Sequence, residues 1–293
     1  MKKLFLLSSL TLLLFSCSDD NDDTTPTTAN LEINLSGLQD LGANYVYEGW
    51  IIVDGAPVTT GVFTVNSDKV LSKTNFTVDA IELAKATAFV LSVEPKNDTD
   101  PAPSETKLLS GAFDATTAMV SVNDQVGDFT NAAGTFFLRT PTDEADGMNN
   151  GNDENGIWFG TPGAPPVPNF KLPSLNNGWR YEGWVVVNGV PITTGQFADA
   201  SAQMADLAGL FSGPNPGPPV PGEDFFKNAP TGVTFPLDVR GKTVVISVEP
   251  YPDNSPKPFL LKPLVGTSGQ ETAPATHNLA PNLASLPTGW AKR

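Results

Sequence analysis

The sequence predicts an all-β protein built from two tandem antiparallel β-sandwich-like domains with short helical insertions. Three observations support this fold class. The 293 residues are 40% hydrophobic and include 26 glycines and 27 prolines, which is typical of a folded chain with many turns. Short β-branched runs bounded by turn residues recur along the chain, and a long motif occurs twice.

The repeated motif occupies residues 47–63 and 181–197, an offset of 134. Both copies contain Tyr-Glu-Gly-Trp, an apolar run, Asp-Gly or Asn-Gly, a proline, Thr-Thr-Gly and Phe. A second motif, Ser-Val-Glu-Pro, occurs at 92–95 and 247–250, an offset of 155. The second copy therefore contains an insertion, which includes the Gly/Pro-rich segment 213–222. The chain is a duplicated domain.

Each repeat is predicted to begin with a hairpin. Asp54-Gly55 and Asn188-Gly189 follow apolar runs, and these residue types adopt positive φ at low cost in two-residue turns. The returning strands are 58–65 and 192–197, and the buried strands 88–93 and 243–248 end at Glu-Pro. Further strands are predicted at 31–35, 118–122, 134–140, 156–159 and 259–264, and short helices at 79–86 and 202–211.

The predicted organisation has five parts. It comprises a signal peptide (1–16), a tether (17–29), a first β-domain (30–160), a second β-domain (168–266) and a tail (267–293). A Pro-rich segment at 162–168 joins the domains. Each domain is large enough to be expected to fold alone.

The first residues resemble a lipoprotein signal sequence. Two lysines precede an apolar run at 4–15, which is shorter than the ~20 residues that a permanent span needs. The run ends in Leu-Phe-Ser-Cys, which resembles the lipobox of bacterial lipoproteins. This resemblance implies that Cys17 is diacylated and anchors the protein to a membrane. The alternative is an ordinary secretory signal with a chance cysteine.

An acidic tether follows Cys17. Residues 18–23 contain four aspartates and precede a Thr/Pro tract, a composition typical of a solvated linker. The acidic cluster also resembles the surface-export signal of Bacteroidota lipoproteins. We therefore expect an outer-membrane lipoprotein exposed on the cell surface, with the periplasmic face as the alternative.

Composition argues against several functions. With 32 acidic and 17 basic residues, the net charge of −15 repels phosphate backbones, so no nucleic-acid partner is expected. The single Cys and single His exclude an internal disulfide, a Cys/His zinc site and a Cys–His catalytic pair. His277 lies in a polar tail without a strand pattern, and no nucleophile elbow or phosphate-binding loop is present. The sequence therefore favours a non-enzymatic protein.

Repeated carboxylates leave hydrolysis as a weaker alternative. Glu48 matches Glu182 and Glu94 matches Glu249, but duplication places each member of a pair in a different domain. A glycosidase needs two carboxylates in one cleft. These residues are therefore interpreted as solvent-facing or strand-ending.

One segment, 143–154, is dense in oxygen ligands. Calcium takes six to eight oxygens, although the register does not fit an EF-hand. The candidate calcium ligands are Asp143, Asp146, Asp153 and Glu154. A solvated loop is the alternative, and no other cofactor is predicted.

The aromatic residues divide into two groups. Tyr47, Trp50, Tyr181 and Trp184 lie on apolar strands and are predicted to fill the core. Trp158, Trp179 and Trp290 lie near Gly/Pro-rich segments and are predicted to be exposed binding residues.

Taken in order, the two repeated motifs resemble the extracytoplasmic C-terminal domain of anti-sigma-K factors. That family also has a cytoplasmic sigma-binding domain and a transmembrane helix, neither of which matches a segment here, so sigma-factor sequestration is not implied. The resemblance implies a β fold located outside the membrane. Together with the lipobox at Cys17, it leads us to expect a lipid-anchored, non-enzymatic binding or sensing module with a protein or glycan ligand. The alternative is a surface lipoprotein that captures glycan or peptide for an uptake system.

Overall fold

The computed structural model describes residues 27–199, 209–252 and 255–293. The predicted signal peptide, Cys17, most of the tether and most of the predicted helix at 202–211 lie outside these described residues. Within them, the chain is nearly all β, which confirms the predicted fold class. No helix in the described part of the chain is long and apolar enough to cross a membrane.

The described residues form sixteen strands and one α-helix. The helix is α1 (Ala80–Lys85), and short 3-10 segments cover Pro141–Asp143, Asp153–Asn155 and Leu283–Ser285. The strands are β1 (Thr28–Ser36), β2 (Tyr45–Val53), β3 (Ala56–Phe63), β4 (Asn75–Asp79), β5 (Ala88–Pro95), β6 (Lys107–Asp114), β7 (Thr117–Val120), β8 (Gly134–Phe137), β9 (Gly156–Phe159), β10 (Trp179–Val187), β11 (Val190–Phe197), β12 (Gly222–Asp224), β13 (Thr243–Pro250), β14 (Leu261–Thr267), β15 (His277–Pro281) and β16 (Thr288–Lys292).

The strands form two eight-stranded antiparallel sheets. The first has the order β3-β2-β5-β6-β7-β16-β1-β4, and the second has the order β11-β10-β13-β14-β15-β8-β9-β12. In each sheet the two outermost strands contact each other, so the sheet curls into a barrel-like shape. The two orders correspond strand for strand, which is the structural consequence of the duplication.

The sheets do not follow the predicted domain boundaries. Strands β8 and β9, expected in the first domain, belong to the second sheet, and β16 inserts between β7 and β1 of the first sheet. The expectation of a tail without strands is therefore wrong: this segment supplies β15 to one sheet and β16 to the other. Both strands are five residues long and contain a single buried residue each, so they carry little periodic signal.

Local chemistry explains the ends of several elements. Asp54-Gly55 and Asn188-Gly189 all have positive φ, which confirms both predicted hairpin turns. Helix α1 begins after Asp79, whose side chain accepts hydrogen bonds from the backbone N–H groups of Ile81 and Glu82.

Most buried hydrophobic side chains form one continuous core that includes residues of both sheets, and a small separate cluster contains Phe137, Trp158 and Val220. Trp179 lies where the sheets meet, and its Nε1–H donates a 3.3 Å hydrogen bond to the carbonyl oxygen of Lys107 in the first sheet. The two repeats are therefore packed against each other.

Candidate ligand-binding cleft

The repeated motif forms a hydrogen-bond system that is nearly the same in both copies. The hydroxyl groups of Tyr47 and Tyr181 donate to backbone carbonyls eight residues upstream, at 3.0 and 2.6 Å. Glu48 accepts from Thr59, and Glu182 accepts from Thr193 at 2.5 Å. These contacts hold the chain that enters each hairpin, so the motif itself is structural.

Glycine is required in this motif by close packing. A Cβ at Gly49 would lie 2.5 Å from Oγ1 of Thr60, and a Cβ at Gly183 would lie 2.2 Å from Oγ1 of Thr194. Both distances are shorter than van der Waals contact. The Gly-Trp and Thr-Thr pairs of the motif therefore specify the packing of one hairpin strand on the other.

The second motif forms a buried chain of hydrogen bonds. Trp50 Nε1–H donates to Ser92 Oγ at 2.8 Å, and the Ser92 hydroxyl donates to Glu94, which also accepts from the Ser104 N–H at 2.9 Å. Burial raises the pKa of the Glu94 carboxyl, against the opposing effect of these hydrogen bonds.

The second repeat contains the same chain of contacts. Trp184 donates to Ser247 at 2.7 Å, the Ser247 hydroxyl donates to Glu249, and the Phe259 N–H donates to Glu249 at 2.9 Å. The prediction that Trp50 and Trp184 fill the core is confirmed by their burial. Glu182 is also buried, so the interpretation that it faces solvent is wrong.

The four candidate calcium ligands are not brought together. Asp143 accepts from the Asn152 amide at 2.7 Å, and Asp153 accepts from the Asn149 amide at 2.8 Å, while Asp146 is exposed. Among the described residues, which include all four candidates, no group of three or more His, Cys, Asp or Glu is placed to hold a metal ion. The side-chain amides of Asn152 and Asn149 therefore contact two of the candidate calcium ligands.

The predicted exposure of tryptophans is wrong for two of the three candidates. Trp158 and Trp179 are buried, whereas Trp290 is partly exposed in the middle of β16. Trp158 donates to Asp224 Oδ1 at 2.9 Å, and Thr142 donates to Asp224 Oδ2 through its N–H and its hydroxyl. Trp158 and Trp179 therefore pack inside the protein rather than on its surface.

Asp224 is a buried carboxyl group that the sequence analysis missed. Burial raises its pKa to about 7, opposed by the hydrogen bonds from Thr142 and Trp158, while neighbouring Glu223 acts in the same direction as burial. Burial likewise raises the pKa of Glu223, which accepts from Ser212. Both acids lie in the Gly/Pro-rich insertion, where no periodic pattern marks a buried strand.

A cleft of about 720 Å³ lies between the two repeats. The first repeat contributes residues of the segment before β2, the β3–β4 connection and the end of β5, and the second contributes residues within 249–252 and 255–259. Its most prominent apolar lining residues are Leu41, Tyr45, Pro95, Pro250, Tyr251 and Phe259. Tyr45 and Tyr251 remain 47% and 38% exposed, so their rings are available to a ligand.

The cleft arises from a difference between the repeats. Asn176 and Trp179, near the start of β10, hold the second repeat on the first: the Asn176 amide donates to the carbonyls of Asp124 and Gln125 at 3.0 Å, and Trp179 is buried. At the offset of 134, their counterparts are Gly42 and Tyr45. Glycine has no side-chain amide to donate, and Tyr45 stays exposed, so the equivalent contact remains open. Comparison of the segments upstream of the two motifs could have indicated this difference from sequence.

Charge in the cleft is unusual for so acidic a chain. Lys69 comes from the first repeat and Lys257 from the second, and neither forms an ion pair within the described residues. Asp40 accepts from the Gly42 N–H at 2.8 Å, and Glu249 accepts from Phe259. Glu249 is buried, whereas Asp40, Lys69 and Lys257 are all exposed and can meet a ligand.

The lining of this cleft is both aromatic and polar. Exposed aromatic rings, prolines, amides and hydroxyls line a concave space of the size that small ligands occupy. The two buried glutamates of the repeated motif, Glu94 and Glu249, each accept hydrogen bonds within their own repeat. They serve as parts of two matching structural networks.

The architecture is that of a duplicated all-β protein with a cleft between its repeats. No protein-family model, curated protein or solved structure matches the chain. Function is therefore argued from the cleft and from the N-terminal sequence.

Proposed function

We propose that this chain is a lipid-anchored extracytoplasmic binding protein that holds a ligand between its repeats without chemically changing it. The observation that carries the proposal is the 720 Å³ cleft with two exposed tyrosines, Tyr45 and Tyr251. Large exposed aromatic side chains in a concave site are typical of ligand contact. The resemblance to anti-sigma-K ectodomains supports a non-enzymatic sensing or binding role.

The location rests on the N-terminal sequence. An apolar run ending at Cys17 and the acidic tether support a lipoprotein on the outer membrane, exposed at the cell surface. A cleft on an anchored protein also suits the second candidate function, capture of a glycan or peptide for an uptake system.

Lipid anchoring is tested by Cys17→Ser in the full precursor, produced in a bacterial host that processes lipoproteins. We expect the wild type in the detergent-soluble membrane fraction and the variant in the aqueous fraction, because acyl chains supply the membrane affinity. Ser16→Ala, which keeps the cysteine, is the matched control. A Cys17→Ser protein that stays in the membrane fraction would contradict the anchor.

Ligand binding is tested by screening the soluble chain, residues 18–293, against immobilised glycans and peptides, followed by calorimetry on the hits. Tyr45→Ala should weaken a hit by about tenfold, the scale of a central aromatic contact. Met119→Ala removes an exposed side chain on the middle strand β7 and should leave affinity unchanged. Equal loss in both variants, or in neither, would place binding outside the cleft.

A further inference from the structure

We infer that the cleft binds acidic oligosaccharides, with ligand carboxylates between Lys69 and Lys257 and sugar rings on Tyr45 and Tyr251. This inference rests on the proposed function and specifies its ligand. It follows from three properties of the cleft: its charge, its aromatic rings and its prolines.

Two exposed lysines in the cleft favour an anion, although the exposed carboxylate of Asp40 also lines it. The chain has only 17 basic residues against 32 acidic ones, yet Lys69 and Lys257 reach the cleft from different repeats without an ion-pair partner in the described residues. The neighbouring Lys262 ammonium has a lowered pKa because of burial and the proximity of Lys69, although Glu249 opposes this effect. A bound carboxylate that paired with Lys69 would relieve the repulsion between Lys69 and Lys262.

The aromatic rings favour a ligand with flat apolar faces. Tyr45 and Tyr251 come from different repeats, and the guanidinium of Arg180 lies 4.5 Å from the centroid of the Tyr251 ring. That contact restrains the Tyr251 side chain before a ligand binds, which reduces the entropy lost on binding. Pyranose rings present C–H faces that pack on tyrosine, while their hydroxyls can bond the amides of Gln39 and Asn66.

The prolines disfavour an extended peptide. Pro95, Pro250, Pro252 and Pro258 line the cleft, and proline has no backbone N–H. At the strand ends, Tyr45 already pairs with Pro95, and Trp179 pairs with Pro250. A peptide added as a strand would therefore find few backbone partners. Because few backbone groups are available, the side chains of the cleft must recognise the ligand, and such a site is better suited to a sugar than to an extended peptide.

The test is calorimetry with residues 18–293 and five probes. Three are acidic glycans: hexagalacturonate, a hyaluronan hexamer and a sialylated trisaccharide. The fourth is fully methyl-esterified hexagalacturonate, which keeps the rings and removes the charge, and the fifth is hexaglutamate. We expect at least one acidic glycan to bind, with affinity that falls as salt rises. If that glycan is hexagalacturonate, its methyl ester should bind at least about tenfold more weakly than the acid.

Two double variants test whether Lys69 and Lys257 contribute to ligand binding rather than to folding. Lys69→Gln with Lys257→Gln should weaken the acidic glycan about tenfold and remove most of the salt dependence. The charge-matched control is Lys85→Gln with Lys227→Gln, two exposed lysines that do not line the cleft. The control should retain wild-type affinity, and melting temperatures should establish that both variants fold.

The outcomes distinguish this inference from the proposed function. Binding of the ester as tightly as the acid, or wild-type affinity in the cleft-lysine variant, would overturn the inference and leave a neutral binding cleft. Tighter binding of hexaglutamate would identify an acidic peptide ligand instead. Absence of binding by all three acidic glycans would also overturn the inference. If the immobilised glycans and peptides also gave no hit that Tyr45→Ala weakens, the proposed function would fail.

Discussion

Single residues explain why the motif is repeated so closely. In both copies a tyrosine hydroxyl fixes the entering chain, a glycine allows a threonine to approach, and a tryptophan begins a buried hydrogen-bond chain that ends on a glutamate. The hydroxyl of each tyrosine and the indole N–H of each tryptophan have hydrogen-bond partners, and an unpaired buried polar group is costly. The motif therefore reports on folding, while the ligand-binding residues lie beside it, where the copies differ.

One buried carboxyl group should make stability depend on pH. The pKa of Asp224 is raised to about 7 in the folded protein, so the folded state holds a proton that the unfolded state releases near pH 4. The free energy of unfolding should therefore decrease as pH rises from about 4 to about 7. Asp224→Asn should flatten this slope in urea titrations at several pH values.

The slope of the free energy of unfolding against pH distinguishes the titration of Asp224 from its contribution to packing. Asp224→Asn replaces one acceptor of the Thr142 N–H by a donor, so its overall stability is expected to fall at every pH. Asp114→Asn changes an exposed carboxyl and should keep the wild-type slope. An unchanged slope in Asp224→Asn would assign the pH dependence to other groups.

At the scale of elements, β16 completes the first sheet. It pairs with β1 on one side and β7 on the other, although about 170 residues separate it from β7 along the chain. Next to it, the Arg293 guanidinium donates to the carbonyls of Leu83, Ala84 and Ala86 at the end of α1, at 2.6 to 3.1 Å. Without β16, β1 and β7 would both expose unpaired edges.

A charge inside β16 should unfold the first sheet. Ala291 is fully buried and lies between Ile33 and Ala118 in the sheet. Ala291→Asp would bury an unpaired carboxylate, and we expect it to lower the free energy of unfolding by about 4 kcal/mol or more. Thermal and urea unfolding monitored by circular dichroism would measure this change.

An exposed position on the same strand provides the control. Thr288→Asp introduces the same charge at an exposed site of β16 and should change stability by about 0.5 kcal/mol or less. Similar losses in both variants would show that the charge, rather than its burial in the sheet, is responsible.

At the scale of the whole molecule, the second sheet is formed by a continuous segment that is inserted between strands β7 and β16 of the first sheet. The second sheet takes β8 and β9 from the segment before its own motif, and the first sheet takes β16 from the segment after the second repeat. One core joins the sheets, with Trp179 at the junction. The cleft is the part of this junction that remains open.

The assignment of strands to the two sheets predicts which fragments fold. Residues 168–266, expected from sequence to fold alone, lack β8, β9 and β15 of the second sheet, so we now expect this fragment to be unfolded. Residues 130–283 contain all eight strands of that sheet and should unfold cooperatively. Circular dichroism and urea titration of both fragments would measure the difference. Cooperative unfolding of 168–266 would show that the three missing strands are dispensable.

The sequence by itself determined the elements whose signals are local. The Asp-Gly and Asn-Gly turns, the strands ending in Ser-Val-Glu-Pro, the helix after Asp79 and the burial of Trp50 and Trp184 all follow from turn propensity and apolar periodicity. The duplication was equally plain, because two long matching segments need no structure to be recognised.

Tertiary structure decided the features that depend on distant parts of the chain. Strand β16 is too short and polar to predict, and only pairing with β1 and β7 makes it a strand. Trp158 and Trp179 lie near glycines and prolines that suggest exposure, yet contacts more than 60 residues away bury them. The cleft depends on Gly42 and Tyr45 standing where the second repeat has Asn176 and Trp179. Local patterns cannot encode these outcomes, because they depend on which surfaces meet after the chain folds.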